Sequence, residues 1–344
     1  MNAASPSSSH SPPLRIGLAG FGRVAPTHVD AIAGLGPAAV LSAICDPDPA
    51  ARAAGTAATG AKGFASLREL LDTEPPEVIA ICTPSGLHAQ LGMEAAAAGC
   101  HVIVEKPVDV TPDAAQALYR ACLDHGVKLL PILQNRLNTT VQLLRRAILA
   151  GRFGRIYSLN ATLCWSRKQD YYDSADWRGR RALDGGAFTN QGIHFLDVMR
   201  FLGGEVVETS AMLGRLARNI ECEDSGSALL RFASGALGNL FVTMLAHQHS
   251  EGSLTVLGER GTVRLGGSAL NTVDYWHFDT PDPEMDALAA NAEYHTASVY
   301  GNGHKLFYAE VLRHLREGTP LTAPPEDALR SLDLLHSIVA ASEF

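Results

Sequence analysis

Two short stretches carry side chains able to move protons. The first, LDGGAFTNQGIHFLD at 183–197, sets Asn190 and His194 four residues apart, hence on one face of an amphipathic helix, with Gln191 beside them. Surface helices usually begin with charges. Here amides and an imidazole face one way, while Phe195, Val198, Met199 and Leu202 form an apolar anchoring side. Asp184, Gly185 and Gly186 give that helix a flexible entrance. The second stretch is Glu105-Lys106-Pro107, which closes the apolar run HVIVEKP. A lysine there points either at solvent, weakly paired with Glu105, or at a ligand. In the second case burial lowers its pKa and lets it exchange protons near neutrality.

The elements that must position these groups follow from hydrophobic patterning. Runs reading LRIGLAG, VLSAICD, VIAICTP, HVIVEKP and VKLLPIL alternate with helix-length segments, the pattern of repeated βαβ units around a parallel sheet buried on both faces. A doubly wound sheet follows. Its first strand leads into GFGRVA, which puts Gly20, Gly22 and Ala25 at the three positions of a GxGxxA turn, with Phe21, Arg23 and Val24 between them. One glycine makes the sharp turn, one lets backbone amides approach a diphosphate, and a small third residue allows close helix packing. A plain glycine-rich turn is the alternative. Asp46, at the end of the second strand, favours the dinucleotide, because a carboxylate there binds both ribose hydroxyls and repels a 2′-phosphate, selecting NAD over NADP. An Asp-Pro turn is its other reading. Thr83, Pro84 and His88 in ICTPSGLHA, with Glu105 and Lys106, lie on the carboxyl edge, where such sheets hold ligands. His88 could equally be a helix-end histidine packed on its neighbours. A positive nicotinamide would depress the Lys106 pKa further.

After PILQNRLN the pattern changes to a helix, TTVQLLRRAILAG, and a strand, RIYSLNATLCW. The next stretch, SRKQDYYDSADWRGRRAL, concentrates Arg167, Lys168, Arg178, Arg180 and Arg181 and interleaves them with Tyr171, Tyr172 and Trp177. It is either a solvated charged face or a pocket that stacks a ring and grips a diphosphate or carboxylate with arginine forks. From Val206 onward, SGSALLRF, GALGNLFVTML, SLTVLG and GTVRLGG alternate polar and apolar residues, with turns at 233–235 and 258–261. They predict antiparallel hairpins in an open sheet with one face needing cover, an arrangement that favours a dimer or tetramer. Residues 279–296 read as loop before SVYGNGHKLFYAEVLRHL and a final helix near EDALRSLDLLHSIVAASEF. The expected class is α/β: an N-terminal Rossmann doubly wound parallel sheet and a C-terminal α+β domain with an open, mostly antiparallel sheet. The expected boundaries are a disordered tail at 1–12, a dinucleotide domain at 13–133, and a substrate-binding and oligomerisation domain at 134–344.

Composition narrows the partners. A chain of 344 residues suits two domains at roughly 150 residues each. A hydrophobic share of 46% with 19% charged residues describes a globular protein. The net charge of -8 opposes a phosphate-tracking surface, so nucleic acid is excluded. MNAASPSSSHSPP has neither a basic nor an apolar region and reads as a Ser/Pro tail, not a signal peptide. No stretch reaches the ~18 uninterrupted apolar residues of a membrane span. Six scattered cysteines fit neither a disulfide framework nor a zinc site and suggest reduced thiols in the cytoplasm; no metal is expected.

The GxGxxA start, the Glu-Lys-Pro triplet and the GGxxxxxxxH spacing that ends at His194 together resemble the Gfo/Idh/MocA oxidoreductase family, from Leu14 to the final helix. That resemblance implies NAD as cofactor, with Lys106 and His194 as the catalytic pair facing the nicotinamide. Many members carry an aspartate four residues before that histidine. Asn190 stands there instead, which concentrates the acid/base work on His194 and Lys106 and weakens an inositol dehydrogenase assignment. Within the family, YYDSADWRG, NQGIH and VYGNGH resemble dehydrogenases of bacterial surface-polysaccharide biosynthesis that oxidise C3 of a UDP-N-acetyl-hexosaminuronate. Arg167, Tyr172, Arg178, Asn190, Gln191 and His304 are then the implied sugar-nucleotide contacts. The alternatives are an inositol, free-sugar or dihydrodiol dehydrogenase, and a non-catalytic NAD- and sugar-sensing regulator.

Overall fold

The computed structural model describes residues 12–296, 301–342 and 344, so all but Pro12 of the expected tail, and part of the VYGNGH motif, lie outside the described residues. The first half is a parallel sheet of β1 (Leu14–Ala19), β2 (Ala39–Cys45), β3 (Lys62–Phe64), β4 (Val78–Ile81), β5 (His101–Val104) and β6 (Leu129–Pro131). Its order is β3-β2-β1-β4-β5-β6, with α1 (Ala25–Ala33), α2 (Pro49–Thr59), α3 (Leu67–Thr73), α4 (His88–Ala97) and α5 (Pro112–Asp124) as connections. Ile16, Leu18, Ile79, Ile81 and Val102 are fully buried because helices cover both faces. The order reverses between β1 and β4, and their carboxyl ends diverge there into a crevice. β3 has no counterpart among the five apolar runs. It is a three-residue edge strand, Lys-Gly-Phe, with only its phenylalanine buried, too short and polar to stand out as a run.

The second half begins with α6 (Thr139–Leu149), β7 (Ile156–Cys164), α7 (Gln169–Asp173) and α8 (Ile193–Gly203). β8 (Val206–Gly214), β9 (Ser225–Phe232), β10 (Leu237–Thr243), β11 (Glu251–Gly258), β12 (Gly261–Gly266) and β13 (Thr272–Phe278) join β7 in the order β13-β12-β11-β7-β10-β9-β8. All pairs are antiparallel except β7 with β10. Alternation is strict on β10: Leu240 and Val242 face the core, whereas Leu237 and Phe241 are exposed. α8 lays Phe195, Val198, Met199 and Leu202 into the core on the covered face.

Three helices close the chain: α9 (Pro283–Ala290), α10 (Gly303–Glu317) and α11 (Pro325–Ala340). α9 interrupts the passage expected to be loop. Asp282 caps it by accepting from the Met285 N–H, and Pro283 opens it, a start signal concealed by its short length. α10 returns to the first half, where Phe307, Tyr308 and Val311 join the core of Ile16, Leu18 and Ile103. α8 is fixed in direction by Arg136, fully buried just after β6. Its guanidinium grips Asp197 of α8 through two bonds, at 2.8 and 2.7 Å, and Asp327 of α11 at 2.8 Å. Among the described residues no helix is long and apolar enough to cross a membrane, and the six cysteines are unpaired.

Candidate active site

The first turn of the parallel sheet requires its glycines. Gly20 has φ +93°, and a Cβ there would lie 2.8 Å from the Cys82 carbonyl oxygen, so only glycine lets the turn pass so close to β4. A Cβ at Gly22 would point into open space beside α1. No side chain caps that helix; its Ala25 and Thr27 N–H groups turn back to the Gly22 and Val24 carbonyls, at 3.2 and 2.9 Å, and Pro26 has none, so an anion there is met by the turn that precedes the helix. Asp46 is held by backbone donors: Phe21 N–H to Oδ2 at 2.7 Å and Asp48 N–H to Oδ1 at 2.9 Å. Arg52 spends its guanidinium on the Asp46 carbonyl, at 2.6 Å.

These groups line a cavity of about 630 Å³ together with Thr83, Pro84 and Lys106 and, from the second half, Trp165, Arg167 and Arg178. Lys106 stands at the seam. Its Nζ donates to the Asn190 carbonyl at 2.6 Å and to Asn190 Oδ1 at 3.2 Å. An ammonium has three donors, so one remains for a ligand. Asn190 can present both oxygens because 188–192 is a π turn, in which the Ile193 N–H reaches back to the Phe188 carbonyl. His194 follows at the start of α8 and lines the same cavity. Burial, then the Lys106 charge, hold its pKa well below the ordinary 6.5, so the imidazole is neutral at pH 7. Burial also lowers the Lys106 pKa, against the opposing charges of Glu105 and Asp184.

The backbone beneath Lys106 is clamped from two sides. His88 sits between the Thr83 and Pro107 carbonyls, at 2.9 and 2.8 Å, tying the end of β4 to the residue after Lys106. Glu105 turns into the protein and accepts from Nε2 of His28 on α1, at 3.0 Å, and of His304 on α10, at 2.9 Å. An ionised carboxylate only accepts, so both Nε2 atoms carry hydrogen. His28 Nδ1 then receives the Tyr308 hydroxyl at 2.8 Å. Burial acts to raise the Glu105 carboxyl, but the two imidazole bonds outweigh it and hold it well below the usual carboxylate range.

The far wall is cationic and aromatic. Arg23, Arg167 and Arg178 converge on the Tyr171 ring at 5.6, 5.0 and 4.2 Å, and Arg178 donates to the Tyr171 hydroxyl at 2.6 Å. Arg178 also covers Trp177, and Arg167 covers Trp165 and approaches His249.

Residues 14–132 match the NAD-binding Rossmann-fold domain of the GFO/IDH/MocA oxidoreductases, and 141–264 match that family's C-terminal domain. The structure resembles, with a TM-score of 0.92, the WlbA dehydrogenase of Bordetella pertussis, solved in complex with NADH and UDP-GlcNAcA. The two share 44% identity over 96% of this chain and 95% of that one. The chain belongs to the Gfo/Idh/MocA family. It is an NAD-dependent oxidoreductase. More distant members of the family include the levoglucosan dehydrogenase of Pseudarthrobacter phenanthrenivorans, 27% identical over 68% of either chain. The inositol 2-dehydrogenase of Rhizobium meliloti is 29% identical over 73% of this chain and 74% of its own.

The residues fit the family's cofactor: Gly22 leaves the cradle that a diphosphate needs at the uncapped helix, and Asp46 presents the carboxylate for a ribose diol. Of the residues singled out from sequence, Gly20, Gly22, Arg23, Val24, Asp46, Thr83, Pro84, His88, Glu105, Lys106, Arg167, Arg178, Asn190, Gln191 and His194 come together around the one cavity. Phe21, Tyr172 and His304 stand off it. The Phe21 ring packs on Gly55 of α2, leaving only its backbone near Asp46. Tyr172 is turned inward against Gly179, because successive residues of a short helix point about 100° apart and Tyr171 takes the cavity side. His304 lies behind Glu105, because α10 packs into the first half rather than over the sugar side. Sequence reasoning did not select Trp165, Tyr171 or Trp177 as contacts. The aromatic-cation interleaving held the signal but not the facing.

A neutral His194 that accepts a proton predicts that kcat/KM for alcohol oxidation stays level down to pH 6.5 and falls only below it. An acid limb centred at or above 6.5 contradicts that assignment.

Proposed function

We propose that this oxidoreductase removes the C3 hydrogen of a UDP-N-acetyl-hexosaminuronate, with NAD as oxidant, in bacterial surface-polysaccharide biosynthesis. The observation that carries the reading is the convergence of Arg167 and Arg178, joined by Arg23 of the glycine turn, on Tyr171 in the cavity that Lys106 and His194 also line. Guanidinium forks match phosphate and carboxylate oxygens, and a diphosphate-linked uronate brings both. A free polyol brings neither. Near full-length likeness to an enzyme solved with UDP-GlcNAcA supports the same substrate class. The six free thiols suit a reducing cytoplasm.

NAD, when bound, supplies the hydride acceptor. His194 takes the hydroxyl proton. Lys106 Nζ turns its remaining N–H to the same oxygen and stabilises the charge that develops there, a preorganised role because Asn190 already holds the ammonium. Arg167 and Arg178 hold the anionic part of the substrate and orient the ring.

The outer face of the second sheet exposes Met212, Leu229, Leu237, Phe241, Leu257 and Tyr275, and in this reading a second copy of the chain covers it. Light scattering should return a dimer or tetramer; a stable 36.5 kDa protomer contradicts this.

Following NADH absorbance with UDP-N-acetylglucosaminuronate, free glucuronate, inositol and levoglucosan tests the substrate class. Only the nucleotide sugar should turn over well, and faster turnover of inositol or levoglucosan overturns the proposal. Lys106→Met should lower kcat roughly 100- to 1,000-fold while NAD still binds.

A further inference from the structure

Asn190 joins an ammonium to a carboxylate. On one side it receives Lys106 Nζ at its two oxygens. On the other its Nδ2 donates to Oδ1 of Asp184. Asp184 is 2% exposed, and its second oxygen accepts the Gly179 N–H at 2.7 Å, while its own N–H donates to the Arg180 carbonyl at 2.9 Å. The series therefore runs Gly179 N–H, Asp184 carboxylate, Asn190 amide, Lys106 ammonium. Only one orientation of the amide satisfies it. Turned over, Nδ2 would meet the ammonium and Oδ1 the carboxylate, two repulsive contacts in a buried place.

We propose that Asp184 is a positioning residue for the oxidation: it fixes the Asn190 amide, and through it holds the Lys106 ammonium with one N–H left for the reacting oxygen. The surroundings suit this role. Burial holds the Asp184 carboxyl above its ordinary range, and Gly179, Arg178, Asn190 and Lys106 pull against that rise without cancelling it. Tight backbone holds the loop: Gly185 has φ +71°, and a Cβ at Gly186 would overlap the Glu223 carboxylate.

The inference rests on the reading of Lys106 as the group that binds the reacting oxygen, and the variants separate the two. D184N leaves an amide to face both the Gly179 N–H and the Asn190 amide, and one donor then meets another. N190D sets two carboxylates against each other. The double variant D184N/N190D exchanges them: the carboxylate accepts from Lys106 and from the new amide, and that amide's oxygen accepts from Gly179, so every bond in the series is restored.

Each single substitution should lower kcat about 10- to 100-fold, with NAD affinity and substrate KM nearly unchanged. The double variant should recover at least about tenfold over the weaker single, the mark of direct coupling. If D184N does not fold, the comparison of N190D with the double variant carries the same test. Wild-type kcat in D184N while K106M is inactive overturns this inference alone, as do losses that simply multiply in the double variant. Undiminished turnover in K106M overturns the reading of Lys106 itself.

Discussion

One bond between the halves of the chain sets the terms for everything else: an ammonium at the end of a parallel strand, held by two oxygens of a residue in a π turn 84 positions later. For that bond to form, the end of β5 and the start of α8 must be placed independently and accurately. β5 is secured from beneath by Glu105, which ties it to α1 and α10, and from the side by His88. α8 is secured by two hydrogen bonds from Arg136 to Asp197, with Ser331 donating a third to that carboxylate. The halves also touch where Gly86 donates to the Leu183 carbonyl at 3.1 Å, beside Asp184; any Cβ at Gly86 would collide with the Ala182 carbonyl.

Electrostatics at the seam follow from this geometry. A partly buried lysine beside a histidine leaves room for one positive charge, not two. The charge stays on Lys106, because Asn190 offers it acceptors and Glu105 and Asp184 lie near. His194 gives up its proton. In the proposed function a group that stabilises negative charge and a base are thus separated without either being a special residue type, and each is in the form needed before a ligand arrives.

Much of this was legible in the sequence where chemistry depends on local spacing. GxGxxA after a first strand, an acid at the end of the second, a lysine at the end of an apolar strand, and an amide and imidazole four apart on a helix are all short-range patterns. Family resemblance then paired Lys106 with His194. What stayed hidden depends on distant packing or on side-chain facing. His304 belongs to a helix that recrosses to the first half, which no local pattern announces. Tyr171 and Tyr172 are equal in sequence, and only the turn of a five-residue helix decides which one faces the cavity. Asp184 looked like loop chemistry next to two glycines, because its partner lies in a widened turn that the expected regular helix would lack.

The central claim is that Lys106 and His194 act on one substrate oxygen above one nicotinamide. A crystal structure of the enzyme with NADH and UDP-N-acetylglucosaminuronate measures this directly. It should place Lys106 Nζ and an imidazole nitrogen of His194 both within hydrogen-bond distance of the C3 oxygen, with Nζ still on Asn190 and the diphosphate or carboxylate against the arginines around Tyr171. A sugar whose C3 oxygen contacts neither side chain, or a nicotinamide on the opposite side of the cavity from them, contradicts the account.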